Sequence, residues 1–222
     1  MSQVPGLARD TRLETLLGDL EAIGYNIVDA VRLRDAAEFG VPQRRRRLVL
    51  MTARGRPLSH PEPERPTSPQ TVRQAIENLP SAGTSGDALH DLPERRSARV
   101  MAIIRAVPPD GGSRSDLGDD AQLDCHRKST GFWDVYGRMA WDEPSPTITG
   151  GCFNPSKGRF LHPVHDRAIT LREAIILQGF PKDYMVSLSR GKEWAAQMIG
   201  NALPPPLVQA HAESILRQLS PI

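Results

Sequence analysis

Residues 166–181, DRAITLREAIILQGFP, describe one short and sharply bounded helix, and the rest of the chain is best interpreted from them. Thr170 is a favourable N-cap, and Glu173 three residues later completes a capping box, in which two backbone amides are satisfied reciprocally. Gly179 and Pro181 provide a left-handed exit and a stop. A largely apolar face recurs at helical spacing: Leu171, Ala174, Ile175 and Gln178. On this pattern alone the segment is an ordinary core helix.

The same residues resemble the ninth sequence motif of the cytosine-5 DNA methyltransferases, in which this helix supports the target-recognition domain. The resemblance lies in Thr-Leu-Arg-Glu-Ala followed by Leu-Gln-Gly-Phe-Pro. Residues 40–50, GVPQRRRRLVL, and 200–207, GNALPPPL, resemble the family's eighth and tenth motifs in the same order. The resemblance covers essentially the whole chain.

This resemblance implies an α/β fold, namely the C-terminal portion of a Rossmann-like S-adenosylmethionine-dependent methyltransferase fold plus a small loop-rich target-recognition domain. Three regions are expected. Residues 1–56 are the C-terminal part of the catalytic lobe, residues 57–198 are the target-recognition domain including the 170–178 helix, and residues 199–222 form a helix that returns to the catalytic lobe.

The amino-acid composition indicates a loop-rich protein with a basic segment that could bind phosphates. The 222 residues suffice for one large or two small domains, and 20 prolines with 18 glycines predict many loops. The net charge is only +2, yet residues 31–56 carry eight arginines against Asp35 and Glu38. Such a basic patch is typical of a nucleic-acid surface, and the alternative is a solvated charged face.

Cysteine and histidine spacing predicts neither disulfides nor a metal site. Cys125 and Cys152 form no CxxC pattern, which favours a reduced, cytoplasmic protein. His162 and His165 could share a metal on one helix, but Pro163 separates them and no third ligand is suggested. No apolar run approaches the roughly 20 residues of a membrane span, so no membrane partner is expected.

Hydrophobic periodicity and turn residues predict the remaining elements. They are a helix over 11–24 with Leu13, Leu16, Leu17 and Leu20 on one face, strands over 25–33 and 48–52, a proline-rich linker over 57–69, helices over 71–79 and 95–106, a turn over 108–112, and a final helix from Pro204–Pro206 to about Leu219.

The eighth-motif segment contains the predicted cytosine-positioning residues. The family pattern Gln-x-Arg-x-Arg places Gln43, Arg45 and Arg47 on one side of a strand, with Arg44 and Arg46 on the other. Two guanidiniums on one face can fork onto a cytosine carbonyl and nearby phosphate or backbone groups. We therefore predict that Arg45 and Arg47 position the target cytosine and that Gln43 is structural.

Residues 132–160 concentrate aromatic and basic side chains, and residues 134–138 and 146–149 resemble the recurring part of the family's target-recognition domain. Hydroxyl and basic groups there can fix phosphates. Trp133 and Tyr136 are interpreted as core aromatics, and Arg172 and Glu173 as structural residues of the ninth-motif helix. The predicted DNA contacts are Arg138, Thr147, Thr149, Lys157 and Arg159.

The tenth-motif segment is predicted to contribute to the cofactor site. In the family the Asn of the Gly-Asn pair lies in the cofactor pocket, which assigns S-adenosyl-L-methionine contacts to Asn201, Gly200 and Ala202. Alternatively, Asn201 caps the helix that follows.

Three family features do not occur in these 222 residues. The family nucleophile is the cysteine of a Pro-Cys-Gln loop that adds to carbon 6 of a flipped cytosine, but here Cys125 follows Asp124 and Cys152 follows Gly151. The glycine-rich Phe-x-Gly-x-Gly cofactor loop is absent. Ser2 and Gln3 stand where the family has Glu-Asn, whose carboxylate contacts the cytosine.

These absences lead to the prediction of a cytosine-5 DNA methyltransferase subunit. It binds double-stranded DNA, and an N-terminal methyltransferase half acting in trans supplies the nucleophile and most of the cofactor site. Alone, the chain is expected to be inactive because it lacks the nucleophile. It is also expected to be poorly soluble, because its first lobe exposes a strand edge and an apolar face. The alternatives are a catalytically inactive DNA-binding remnant or regulatory module, and an experimental fragment.

Overall fold

Three short strands form one antiparallel sheet. The computed structural model describes residues 2–3, 5–63, 69–118 and 134–220. The sheet order is β1-β3-β2, with Ser2 opposite Val49 and Val31 opposite Leu50. The strands are β1 (Ser2–Gln3), β2 (Val31–Asp35) and β3 (Arg46–Leu50).

The strand predicted over 25–33 is wrong in its extent. β2 begins only at Val31, and Tyr25 makes a single bridge to Arg54. Between them Asp29 adopts a φ of 52°, a left-handed conformation that interrupts an extended chain. The tyrosine and valines of this segment favour a strand, but the turn at Asp29 overrides them.

Five of the six helices were predicted in this order, and α5 was not predicted from the sequence. Their bounds are α1 (Thr11–Ala22), α2 (Val72–Ile76), α3 (Ala98–Ala106), α4 (Leu171–Leu177), α5 (Lys192–Asn201) and α6 (Pro205–Leu219). Short 3-10 helices span Pro5–Arg9, Ala36–Phe39, Arg114–Asp116 and Pro155–Lys157. Within the described residues, no helix has the length and apolar character needed to cross a bilayer.

The capping box predicted for α4 is confirmed. The Glu173 amide donates to the Thr170 hydroxyl at 3.1 Å, and the Thr170 amide donates to the Glu173 carboxylate at 2.7 Å. Arg167 binds both oxygens of that carboxylate, so the buried charge of Glu173 is paired. Gly179 takes the predicted left-handed conformation with a φ of 86°. All seven residues of α4 are buried, which makes this helix the centre of the fold.

The largest apolar cluster surrounds α4 and joins it to α2, α5 and the loops over 139–160. A second cluster packs α3 against Val135, Tyr136 and Leu161, which confirms Tyr136 as a core aromatic. A third cluster connects β3 to α6 through Val49, Met51 and the partly buried Ile215. The final helix therefore returns to the sheet. Trp133 and Cys125 lie outside the described residues.

Candidate functional site

Gln43, Arg45 and Gln178 form a buried polar cluster that we call the glutamine–arginine junction. Gln178 and Gln43 are fully buried and Arg45 is 3% exposed. The Gln43 amide nitrogen donates to the Gln178 side-chain oxygen and to the Leu177 carbonyl, while its oxygen accepts from the Ile148 amide at 2.8 Å. The eighth-motif segment is thereby bound both to α4 and to the loop over 145–150.

Arg45 extends the junction to the tenth-motif segment. Its guanidinium donates to the carbonyls of Ile148 at 2.7 Å, Gly200 at 2.7 Å and Ala202 at 3.1 Å. In the described part of the chain it pairs with no carboxylate, and its Nε has no hydrogen-bond partner. Desolvation, with a smaller contribution from Arg47, lowers the pKa of Arg45 to about 10, so the side chain stays charged at neutral pH. We therefore correct the prediction that Arg45 contacts the cytosine.

Gln178 is a structural position of the junction whose role the sequence analysis did not recognise. Its amide nitrogen donates to the carbonyls of Ile199 and Ala202, both at 2.9 Å, and its oxygen accepts from Gln43, so one side chain joins α4, α5 and the segment before β3. The sequence does contain one signal for this role, which is the position of Gln178 on an otherwise apolar helix face. A fully buried amide requires partners for its donors and its acceptor.

Arg47 remains the candidate for a substrate contact in the segment that resembles the eighth motif. It is half-buried, and its guanidinium donates to the Arg46 carbonyl at 2.8 Å. Within the described residues it forms no ion pair, and desolvation lowers its pKa. Arg44 and Arg46 are exposed, in agreement with the predicted alternation, and Arg44 approaches Glu143 at 3.9 Å. An unpaired, partly desolvated guanidinium is suited to a carbonyl or phosphate.

Gly200 allows the tenth-motif segment to approach the loop over 149–150. A Cβ on Gly200 would lie 2.2 Å from the Gly150 nitrogen and from the Thr149 carbonyl carbon, a contact that no side chain tolerates. The carbonyls of Gly200 and Ala202 bind Arg45. We therefore narrow the predicted cofactor contact to Asn201, which is exposed at the end of α5. Asn201 does not cap α6, whose N-cap is Pro204.

The predicted DNA contact by Arg138 is wrong. Arg138 is 1% exposed, and its five N–H donors meet five acceptors, so none remains for DNA. Its guanidinium binds a ring of carbonyls closed by one carboxylate, those of Ile104, Val107, His162, His165 and Asp166. Arg138 is therefore a scaffold residue that joins α3 to the loop before α4.

Arg159 and Thr147 also make internal contacts. Arg159 donates to the carbonyls of Gly111, Gly112 and Arg138 and pairs with Asp134, which we take as a structural role in place of the predicted DNA contact. Thr147 is partly buried and donates through its hydroxyl to the Arg44 carbonyl at 2.8 Å. These two side chains hold loops together.

Thr149 and Lys157 are exposed and lie on the same surface. A Cβ on Gly151 would lie 2.9 Å from the Lys157 Cβ and 3.8 Å from the Thr149 hydroxyl, so Gly151 brings the two side chains together. The same loop, at Gly150, packs against Gln197 of α5. This surface, which we call the 149–157 surface, is adjacent to the junction and carries the remaining predicted DNA contacts.

Three other candidate residues of the sequence analysis are buried, whereas His165 is exposed. Arg172 is 5% exposed and binds Asp87 and the Tyr184 carbonyl. Burial raises the pKa of the Cys152 thiol to about 12, so it is not a thiolate at neutral pH. His162 accepts the amides of Val164 and His165 at its Nδ1, and burial lowers its pKa to about 3. Its contacts are those of a loop support.

Solved structures with similar architecture belong to methyltransferases. A prophage-encoded Escherichia coli protein classed with the DNA modification methyltransferases aligns with 98% of this chain and 68% of its own chain, at a TM-score of 0.62 and 19% identity. The Schizosaccharomyces pombe Dnmt2 methyltransferase aligns with 98% and 66%, at a TM-score of 0.54 and 15% identity. The fold is thus the mixed α/β fold of these methyltransferases.

Sequence comparison then identifies the family. The model of the C-5 cytosine-specific DNA methylases matches residues 3–217, and the chain belongs to this family. The type II methylase M.HgiDII of Herpetosiphon aurantiacus is 35% identical over 99% of this chain. The type II methyltransferase M1.HphI of Haemophilus parahaemolyticus is 33% identical over 93%. The chain spans 64% and 52% of the lengths of these two relatives.

Proposed function

We propose that this chain is the cytosine-positioning and DNA-reading part of a DNA (cytosine-5-)-methyltransferase that uses S-adenosyl-L-methionine. The nucleophilic cysteine and the main cofactor loop come from polypeptide outside these 222 residues, in the N-terminal half of the enzyme. The observation that carries this proposal is the glutamine–arginine junction. It brings the segments that resemble the eighth, ninth and tenth family motifs into contact through side chains buried to 3% exposure or less.

Arg47 is the residue we assign to the target cytosine. Arg45 lies two residues before Arg47, and its guanidinium binds the backbone carbonyls of residues 148, 200 and 202. These bonds hold the start of β3 in place. A guanidinium presented from such a rigid support binds a carbonyl oxygen with little loss of conformational entropy. Arg45 is in this view a positioning residue for Arg47.

We assign a small part of the cofactor site to the described residues. The Asn201 amide can both donate and accept hydrogen bonds, while the carbonyls of its two neighbours are occupied by Arg45. The cofactor supplies an electrophilic methyl group, and Asn201 would contribute to its orientation. Thr149 and Lys157 are assigned to phosphate contacts, because their surface is exposed and adjoins the junction.

Transfer of labelled methyl from S-adenosyl-L-methionine to double-stranded DNA tests the proposal. The chain is assayed alone and co-expressed with the polypeptide encoded immediately upstream. We expect activity in the pair and none in the chain alone. In the pair, Arg47→Met should lower the rate about a hundredfold, as for loss of one charged donor at a reacting group, whereas Arg46→Met on the opposite side of β3 should change it less than about threefold.

One outcome would reject the role of Arg47, and another would reject the methyltransferase function. An active pair with equal rates for Arg47→Met and Arg46→Met would remove Arg47 from the cytosine site. Salt-sensitive DNA binding without methyl transfer in any combination would instead favour a catalytically inactive DNA-binding module.

A further inference from the structure

An exposed tryptophan lies on the first turn of α5, in contact with an arginine that precedes the helix. Trp194 is 39% exposed, although tryptophan side chains are highly buried on average. The guanidinium carbon of Arg190 lies 3.7 Å from the centroid of the Trp194 ring, a distance at which the guanidinium rests on the ring face. We call this pair the Arg190–Trp194 stack.

The N–H groups of Arg190 form no hydrogen bond or ion pair with any residue in the described part of the chain. The side chain is exposed, whereas Arg45 and Arg138 are buried and bind backbone carbonyls inside the fold. A guanidinium that rests on an aromatic ring directs its donors outward from the rim of its plane. Because the ring already restricts Arg190, an anion would be bound with little further loss of conformational entropy.

Two contacts place the first half of α5 beside the 149–157 surface. Gln197, one turn after Trp194, packs against Gly150, where a Cβ would lie 3.1 Å from the Gln197 Cγ. The Lys192 ammonium lies 5.1 Å from the centroid of the Phe153 ring, in the same loop. The stack therefore adjoins the surface to which we assign phosphate contacts.

The stack also lies on the same line of α5 as the candidate cofactor contact. Trp194, Gln197 and Asn201 are exposed and recur at i, i+3 and i+7. Seven residues of helix correspond to about 10 Å along its axis. One turn of duplex DNA is about 34 Å long, so a duplex whose cytosine is held near the cofactor would extend past the stack.

The charge around the stack favours an anionic ligand. Residues 182–194 carry three cations, Lys182, Arg190 and Lys192, against Asp183 and Glu193. An exposed aromatic ring beside cations is typical of nucleic-acid surfaces, in which the cations bind the phosphates. A purely apolar partner would bury the Arg190 guanidinium without a counter-charge, which costs free energy.

We propose that the Arg190–Trp194 stack binds a phosphate of the DNA backbone beside the target site, with the indole holding the guanidinium in place. This inference rests on the proposed function, because the ligand is the same duplex. It adds a contact that lies outside the segments resembling the family motifs. A phosphate contact carries no sequence information by itself, so the stack would fix the orientation of the duplex. The guanidinium can donate through two N–H groups to two phosphate oxygens.

Binding of this chain to a random-sequence duplex of about 30 base pairs, measured by fluorescence anisotropy at several salt concentrations, tests the contact. Arg190→Ala should weaken binding about fivefold and reduce the slope of log K against log salt by about 1. Arg217→Ala is the matched control, since it removes the same charge from an exposed position of α6 beside Glu38 and Pro61. The control should change the affinity less than about twofold, because solvent and salt screen a remote charge.

Trp194→Leu tests the stack itself, since it changes no charge. It should weaken binding about threefold, because Arg190 loses the ring that restricts it. The double variant with Arg190→Ala should bind no more weakly than Arg190→Ala alone. Both side chains are exposed, so the urea midpoint of each variant should match that of the parent chain. Unchanged affinity of Trp194→Leu, or an effect of Arg190→Ala no larger than that of the control, would reject the contact.

Methyl transfer by the pair separates this inference from the proposed function. Arg190→Ala should raise the KM for DNA about fivefold and leave kcat unchanged, because a contact remote from the reacting atoms is equal in the ground and transition states. Duplex binding with the expected Arg190 dependence but no methyl transfer would retain the contact and reject the activity. An active pair whose KM is insensitive to Arg190→Ala would retain the activity and reject the contact. Loss of pair assembly in Trp194→Leu would also reject it, in favour of an interface with the N-terminal half.

Discussion

Replacing Gln178 by methionine tests whether the glutamine–arginine junction holds the motif segments together. The substitution keeps the side-chain volume and removes the bonds to the Ile199 and Ala202 carbonyls, each 2.9 Å, and the bond from Gln43. A buried neutral hydrogen bond contributes about 1 kcal/mol net, so three predict a loss of about 3 kcal/mol in the free energy of unfolding.

A larger loss is not expected, because each former partner keeps another contact. The Gln43 amide still donates to Leu177 at 3.2 Å, and the Ala202 carbonyl still accepts from Arg45 at 3.1 Å. The Ile199 carbonyl still accepts from the Ala202 amide at 3.2 Å. Only one N–H of the Gln43 amide is left without an acceptor, so most of the desolvation penalty is avoided.

Urea unfolding of this chain provides the measurement, with Gln209→Met as the matched control. Gln209 is exposed on α6 and pairs with Glu213, so its replacement should change stability by less than about 0.5 kcal/mol. In a double-mutant cycle with Gln43→Met, Gln178→Met should show a coupling energy of about 1 kcal/mol. A loss equal to that of the control, or a coupling of zero, would refute the stabilising role of the junction.

Three further predictions address residues whose roles the structure changes. Arg138→Lys should destabilise the chain by about 3–5 kcal/mol because an ammonium cannot reach the five acceptors. Arg105→Lys, at an exposed position, should have little effect on stability. Normal stability of Arg138→Lys with weakened DNA binding would contradict the scaffold role of Arg138. The pKa of His162 is lowered to about 3, whereas the imidazole of the unfolded chain protonates near 6.5. The free energy of unfolding should therefore keep its full value above pH 6.5 and fall with decreasing pH, by on the order of 2 kcal/mol at pH 5. In unfolding measurements, His162→Asn should flatten this pH dependence. Cys152→Ala should leave methyl transfer by the pair unchanged, since the buried thiol has a pKa of about 12, and a loss of activity with retained stability would show that Cys152 takes part in the reaction.

The elements that could be predicted from sequence are those whose signals are local. Thr170 and Glu173 are three residues apart, so the capping box of α4 is visible without any tertiary information. The proline run at 204–206 likewise marks the start of α6. The start of β2 could not be predicted in this way, because a left-handed Asp29 within an otherwise strand-like stretch has no unique sequence signal.

The roles of the arginines could not be predicted in the same way. A family motif predicts that an arginine occurs at a given position. Whether that arginine is buried depends on backbone carbonyls that are distant in sequence. Arg138 binds Ile104 and Val107 from α3 and His165 from the loop before α4. Neither residue type nor spacing contains this information. The same limitation applies to Arg45, whose acceptors at 148 and 200 lie more than 100 residues away.

The need for these buried arginines follows from the scarcity of regular structure between α2 and α5. Backbone carbonyls in loops have no ladder partners, yet they require donors when they are buried. A guanidinium offers five donors in one rigid plane and can bind several loop segments at once, which lysine cannot do. Arg45, Arg138, Arg159 and Arg172 each bind backbone carbonyls in this way. Arginine content in this chain is therefore a poor guide to DNA contact. We expect the salt dependence of DNA binding to follow exposed groups such as Lys157, and to be insensitive to the buried guanidiniums as long as the chain is folded.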